Sequence, residues 1–98
     1  MKIEEWREEI DLIDEQILRL VNQRTQIALK IGDLKAKAGL PIYDKEREQD
    51  LIARLCSSNT GPLKSEAVTR IFRRIIHESR SVEAHSITQL KSKSREIC

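Results

Sequence analysis

The chain has 98 residues, of which 35% are charged and 3% aromatic, with two prolines and three glycines. A chain of this length and make-up holds one domain at most, with a thin core, and suits helices with solvated outer faces better than a β-sandwich. Its 18 basic and 16 acidic residues are interspersed and leave a net charge of +2. That excess is too weak to argue for nucleic acid, and no basic cluster is interleaved with aromatic residues.

The first predicted element is the longest. Trp6, Ile10, Ile13, Ile17, Leu20, Arg24, Ile27, Ile31, Leu34 and Ala38 follow one another at alternating steps of four and three. No proline interrupts them and the only glycine is Gly32, so the spacing predicts one amphipathic helix from about Ile3 or Glu4. Glu4 and Glu5 suit its positive end, and Gly39 with Pro41 closes it. Residues 40–43 form a short connection. Asp44 is a natural N-cap for a second helix over about 45–57. The run Ser57-Ser58-Asn59-Thr60-Gly61-Pro62 is a loop by composition. A third helix starts between Pro62 and Ser65, carries Val68, Ile71, Phe72, Ile75 and Ile76 on one face, and runs to about Leu90. Lys91, Lys93 and Arg95 then belong to a short basic tail, 91–98, expected to be solvated and disordered. The fold class is all-α, with long, short and long helices in a single domain over 1–90.

Length adds a constraint. A helix of roughly 33 residues is about 50 Å long, whereas a compact monomer of this size is roughly 35 Å across. The first helix therefore projects from its own globule with apolar residues at both ends. A second copy packed along the same seam resolves this, which makes a homodimer the expected state. Cys56 and Cys98 have neither metal-ligand spacing nor a CxxC pattern and suggest a reducing compartment. The opening residues lack an apolar signal core and no run approaches membrane-spanning length, so the expectation is a cytoplasmic chain without a membrane partner.

Polar residues on inward faces carry the functional information. Arg24 occupies a position of the seam, and Lys35 borders the same stripe. Eleven residues return almost to the same azimuth, so the two cations share a face about 16 Å apart. Glu48 precedes Leu51 and Ile52 by one turn on the second helix. On the third, the apolar stripe runs into Ser79 and then Glu83. Each residue has an ordinary structural reading: a polar seam residue fixes register in coiled coils, an edge lysine snorkels, a serine fits in a core, and Glu83 marks where the helix leaves the core. Together they are costly to bury without a partner, and two inward cations suggest an anionic ligand between helices. Arg7 lies about 25 Å from Arg24 along the helix, too far to share a small pocket with it in one chain. It reads either as a surface residue or, in an antiparallel dimer, as reaching the partner's pocket.

The string Trp6-Arg7-Glu8-Glu9-Ile10-Asp11-Leu12-Ile13-Asp14 resembles the opening helix of the all-helical chorismate mutases. So do Arg24, Ile31-Gly32-Asp33-Leu34-Lys35, Pro41-Ile42-Tyr43-Asp44-Lys45-Glu46-Arg47-Glu48 and Ile71-Phe72-Arg73-Arg74-Ile75-Ile76-His77-Glu78-Ser79, in the same order over about residues 4–85. The resemblance implies an intertwined homodimer that rearranges chorismate to prephenate in phenylalanine and tyrosine biosynthesis. It implies no metal, cofactor or covalent nucleophile.

Carried over by position, Arg24 and the partner subunit's Arg7 hold the substrate carboxylates, and Lys35 donates to the ether oxygen. The backbone of Asp44 and the side chain of Glu48 bind the ring hydroxyl, Arg47 buttresses the pocket, and Ser79 contacts a carboxylate. Glu83 stands where many relatives have glutamine and others glutamate; a carboxyl group donates to the ether oxygen only when protonated. Arg24, Lys35 and Glu83 are thus the expected catalytic group. Two other readings remain: an isochorismate-pyruvate lyase on the same scaffold, or a non-catalytic helical dimerisation or ligand-sensing module. The last predicts that Arg24 pairs with an internal carboxylate and that no open pocket exists.

Overall fold

The computed structural model describes residues 2–97, with side chains described through Ser86. The chain forms three helices, α1 (Ile3–Ala38), α2 (Lys45–Ser58) and α3 (Ser65–Ile97). The long-short-long, all-α architecture expected from the sequence is the one observed. Helix α3 continues past its predicted end near Leu90. The expected basic tail over 91–98 falls outside the residues whose side chains are described.

Local chemistry sets the helix ends. Gly39 takes a left-handed conformation, φ 70°, that a side chain disfavours. Its N–H donates to the Ala36 carbonyl at 3.2 Å, and the Leu40 N–H donates to the Lys35 carbonyl at 2.8 Å. This Schellman arrangement satisfies the last carbonyls of α1 and turns the chain sharply. At the start of α2, Asp44 Oδ1 accepts the Arg47 N–H at 3.0 Å, an N-cap of the expected kind. Between α2 and α3, Asn59 donates from Nδ2 to the Leu63 carbonyl at 2.6 Å and accepts the Gly61 N–H at 3.0 Å. The loop thereby satisfies its own polar groups.

Helix α3 packs against both α1 and α2, which do not pack against each other among the described residues. Among the described residues the buried apolar side chains are Ile52 of α2, 8% exposed, and Val68 of α3, 7% exposed, so the core is thin. Phe72, Ile75 and Ile76 continue the α3 stripe at intermediate burial, while Ile71 stands off it, 46% exposed.

Helix α1 has two faces. Val21, Thr25, Ala28, Gly32 and Lys35, again at steps of four and three, are partly or fully buried, with Arg24 and Leu29 beside them. The large apolar seam beside it, from Trp6 through Ile10, Ile13, Ile17 and Leu20 to Ile27, Ile31 and Leu34, is about half exposed or more. The radius of gyration is 17.6 Å and the extents are 64 × 30 × 15 Å, against about 13 Å for the radius of a compact chain of this length. Among the described residues no helix is long and apolar enough to cross a membrane.

Candidate active site

Because α1 and α2 stay apart, a cleft of about 460 Å³ opens between them with α3 as its floor. Arg24, Ile27, Ala28, Ile31 and Lys35 line it from α1; Ile42 and Asp44 from the connection; Arg47, Glu48 and Leu51 from α2; and Ile76, Ser79, Arg80 and Glu83 from α3. The volume and the mixture of apolar walls with a few convergent polar groups are those of a small-molecule site.

Seven of the sequence-selected residues, Arg24, Lys35, Asp44, Arg47, Glu48, Ser79 and Glu83, meet in this cleft. Arg7 does not. It lies on the exposed first turns of α1, where Nη1 is 3.0 Å from Glu4 Oε1.

Arg24 is half-buried and makes no hydrogen bond or ion pair among the described residues. Three turns on, Lys35 Nζ donates to the Ile42 carbonyl at 3.2 Å. The same residue's own carbonyl receives the Leu40 N–H that closes α1. Helix ending and ammonium placement are therefore coupled: the turn at Gly39 brings Ile42 back onto the lysine. An ammonium has three donors, so the bond to Ile42 leaves two for a ligand.

Glu83 crosses α1 at Gly32, the one buried residue of that helix. A Cβ at position 32 would stand 3.1 Å from Glu83 Oε2 and 3.2 Å from its Cγ. The close approach brings the carboxyl into a desolvated site, and burial raises its pKa above the usual carboxylate value. Lys35, Arg24 and Arg80 oppose that shift with their positive charge without reversing it.

Ser79 is 3% exposed and lies 2.9 Å from Thr25 Oγ1. Thr25 also donates to the Val21 carbonyl at 2.9 Å. A hydroxyl has one proton, so in this arrangement Ser79 is the donor and Thr25 the acceptor. A contact from Ser79 to a carboxylate requires its proton to turn away from Thr25.

Two polar residues that the sequence did not single out bear on this site, Arg80 in its lining and Thr25 behind Ser79. Thr25 continues the small-residue face of α1, three residues before Ala28 and seven before Gly32. Arg80 follows Ile76 by four and precedes Glu83 by three; its Nη1 is 3.3 Å from Glu48 Oε2 and its guanidinium lies 4.4 Å over the Tyr43 ring. The helical spacing of both was present in the chain. What hid them was their side-chain type, which reads as surface. Among the described residues no group of three histidine, cysteine or acidic side chains is placed to hold a metal ion.

Residues 6–84 match the family model of chorismate mutase type II. The chain belongs to that family. It is 34% identical to the form II structure of chorismate mutase from Thermus thermophilus, with a TM-score of 0.83 over 86% of this chain and 96% of that one. It is 31% identical to the Helicobacter pylori chorismate mutase solved in complex with prephenate, with a TM-score of 0.82 over 88% and 93% of the two chains. Among curated relatives, the bifunctional chorismate mutase/prephenate dehydratase of Aquifex aeolicus is 42% identical over 86 residues. The match covers 84% of this chain but 24% of that protein, so the chain spans about a quarter of that bifunctional relative. The chorismate mutase of Methanocaldococcus jannaschii is 29% identical and is matched over 96% of both chains.

Among the described residues Arg24 faces an open cleft and makes no ion pair, whereas the ligand-free module considered from the sequence would pair it with an internal carboxylate and have no open pocket.

Proposed function

We propose that the chain is a chorismate mutase, converting chorismate to prephenate. The observation that carries this reading is one cleft in which Arg24 and Lys35 from α1 face Glu83, whose pKa is raised by burial against their opposing charges. The reaction breaks an ether C–O bond and forms a C–C bond within one molecule, so no group is transferred to the protein. Catalysis then consists of selecting a compact conformer and stabilising charge where it develops. Arg24 holds a substrate carboxylate. Lys35 keeps its bond to Ile42 and donates to the ether oxygen as that oxygen becomes negative. Protonated Glu83 supplies a second donor to the same atom. At the far wall, Glu48 accepts from the ring hydroxyl and the Asp44 backbone N–H donates to it, while Arg47 flanks them. The Asp44 side chain is occupied by its cap to the Arg47 N–H and its carbonyl accepts the Glu48 N–H at 3.1 Å, which leaves the backbone N–H for that contact.

The proposed working unit is a homodimer in the cytoplasm. A folded chain of this mass exposes about 5,800 Å², whereas this one exposes 8317 Å². The excess, about 5,000 Å² over two chains, lies in the range of obligate homodimer interfaces. Pairing along the exposed α1 seam covers the large apolar residues and carries each Arg7 toward the other subunit's cleft, where it meets the second carboxylate.

The test is turnover of chorismate by the purified chain, followed as loss of chorismate absorbance and appearance of prephenate, with isochorismate as the parallel substrate. Lys35→Ala is expected to lower kcat by at least ~100-fold, the scale for loss of an oxyanion-type donor. Near-normal turnover in that variant removes the mechanism, and pyruvate release from isochorismate without chorismate turnover replaces the function with the lyase.

A further inference from the structure

Three of the ion pairs among the described residues, Arg7–Glu4, Lys37–Asp33 and Arg74–Glu78, join neighbours one turn apart on exposed helical faces. Pairs of this kind contribute little. Arg80–Glu48 differs in every respect. It joins α3 to the first turn of α2 at 3.3 Å, with the two side chains only 30% and 18% exposed. The same guanidinium lies 4.4 Å over the ring of Tyr43, in the connection that leads into α2. One side chain thus ties three parts of the chain together along one wall of the cleft.

The bond to Arg80 occupies Glu48 Oε2. Oε1 has no partner among the described residues. We propose that Arg80 is a positioning residue, which fixes Glu48 through this ion pair and the Tyr43 stack so that its free oxygen accepts from the ring hydroxyl of the substrate. This inference rests on the function proposed above and on the role given there to Glu48.

The physical reason lies in the architecture. α1 and α2 do not pack against each other, and the bond from Lys35 reaches only the connection at Ile42, so among the described residues no side chain of α1 holds Glu48. A glutamate there has freely turning χ angles, and a partly buried carboxylate without a partner is costly to keep. A planar guanidinium held between an aromatic face and a carboxylate has one orientation, which a lysine ammonium does not share. Arg80 acts through Glu48 at the hydroxyl end of the substrate, and so bears on recognition. Its charge also lowers the Glu83 pKa, which burial raises; a pH series separates the two effects, because this one moves the kcat limb rather than the KM for chorismate.

The test compares the full-length wild type with Arg80→Met, Arg80→Lys, Glu48→Gln and the Arg80→Met/Glu48→Gln double variant. Each is assayed on chorismate and on a chorismate analogue lacking the ring hydroxyl, and its fold is checked by thermal melting. Arg80→Met is expected to raise KM for chorismate ~10-fold while kcat changes less than ~3-fold, the scale of a lost charge-assisted contact. Arg80→Lys recovers part of that loss. The double variant is no worse than Glu48→Gln alone, because the two residues act as one unit. On the analogue, the Arg80→Met penalty disappears. Equal losses on both substrates, or additive losses in the double variant, overturn the proposal. Should Arg80→Met fail to fold, the same comparison is made with Arg80→Lys: a KM rise confined to chorismate supports the role and equal losses overturn it. A wild type inactive on chorismate overturns the function itself together with this role, whereas an active wild type indifferent to changes at Arg80 overturns this role alone.

Discussion

Gly32→Ala separates stability from activity in this fold. Position 32 is in the interior of α1, where alanine is favoured over glycine by up to ~1 kcal/mol in an exposed helix. Here the added methyl meets α3. The new Cβ would stand 3.1 Å from Glu83 Oε2, 3.2 Å from its Cγ and 3.4 Å from its Cβ. The last distance is close to ordinary contact, so the α3 backbone needs to move little. The first two are too short by a few tenths of an ångström, and the flexible end of the glutamate yields more readily than the helix. Gain in propensity and cost of contact nearly offset each other, which leaves a net stability change within ~1 kcal/mol and a Tm shift within ~8 °C. The carboxyl group, however, is pushed from its place opposite Lys35. Misplacement by 1 Å costs catalysis on the order of 100-fold, so a displacement of a few tenths predicts roughly a 10-fold fall in kcat. Thermal melting and steady-state kinetics on the same preparation read both quantities. A variant with wild-type kcat refutes the reasoning, because it shows that the position of the Glu83 carboxyl does not govern the reaction.

Glu83 also sets a pH dependence: burial raises its pKa, so turnover is expected to fall as pH rises through its titration, and Glu83→Gln is expected to flatten that limb. Superimposable pH–rate profiles of the two proteins discard the donor role. The same raised pKa means that the folded chain binds this proton more tightly than the unfolded one. Its contribution to stability is fully present below the unfolded pKa and is lost as pH rises through the folded one, so the Tm advantage of Glu83→Gln should grow over that window. Arg7→Ala and Lys35→Ala, each impaired alone, should complement when mixed and allowed to exchange subunits. One of the two sites in a mixed dimer then has both residues intact, and random exchange returns about a quarter of wild-type activity; a mixture no more active than its components shows that Arg7 does not act across the dimer.

What could be read from the chain follows from which residues announce their surroundings. The ends of α1 and α2 were legible because Gly39 and Asp44 do their work locally, through their own backbone and side-chain bonds. The apolar seam was legible because large apolar side chains at steps of four and three fall on a single face of a helix, and such a face must be covered. The second face of α1 was not, because Val21, Thr25, Ala28 and Gly32 are small or weakly polar and carry almost no periodic hydrophobic signal. Arg80 was missed for a related reason. A cation one position from an apolar stripe reads as solvated until the crossing of α3 with α2 brings Glu48 beneath it, and that crossing is a tertiary fact.

The two faces of α1 also decide how Arg24 should be understood. Along the chain it is a member of the seam, between Leu20 and Ile27, where a polar residue ordinarily fixes the register of two identical helices. Such a residue must place its head group in the helix–helix interface. Arg24 instead lines the cleft that α3 shares, and its charge reaches Glu83. A single guanidinium does not serve both surfaces at once. Arg24 sits where the seam and the small-residue face meet, and its neighbours Ile27 and Ile31 line the cleft while remaining about half exposed. The same stretch of helix therefore walls the site on one side and offers apolar surface on the other, so that in the proposed homodimer loss of the second copy is expected to open the site as well as to expose the seam.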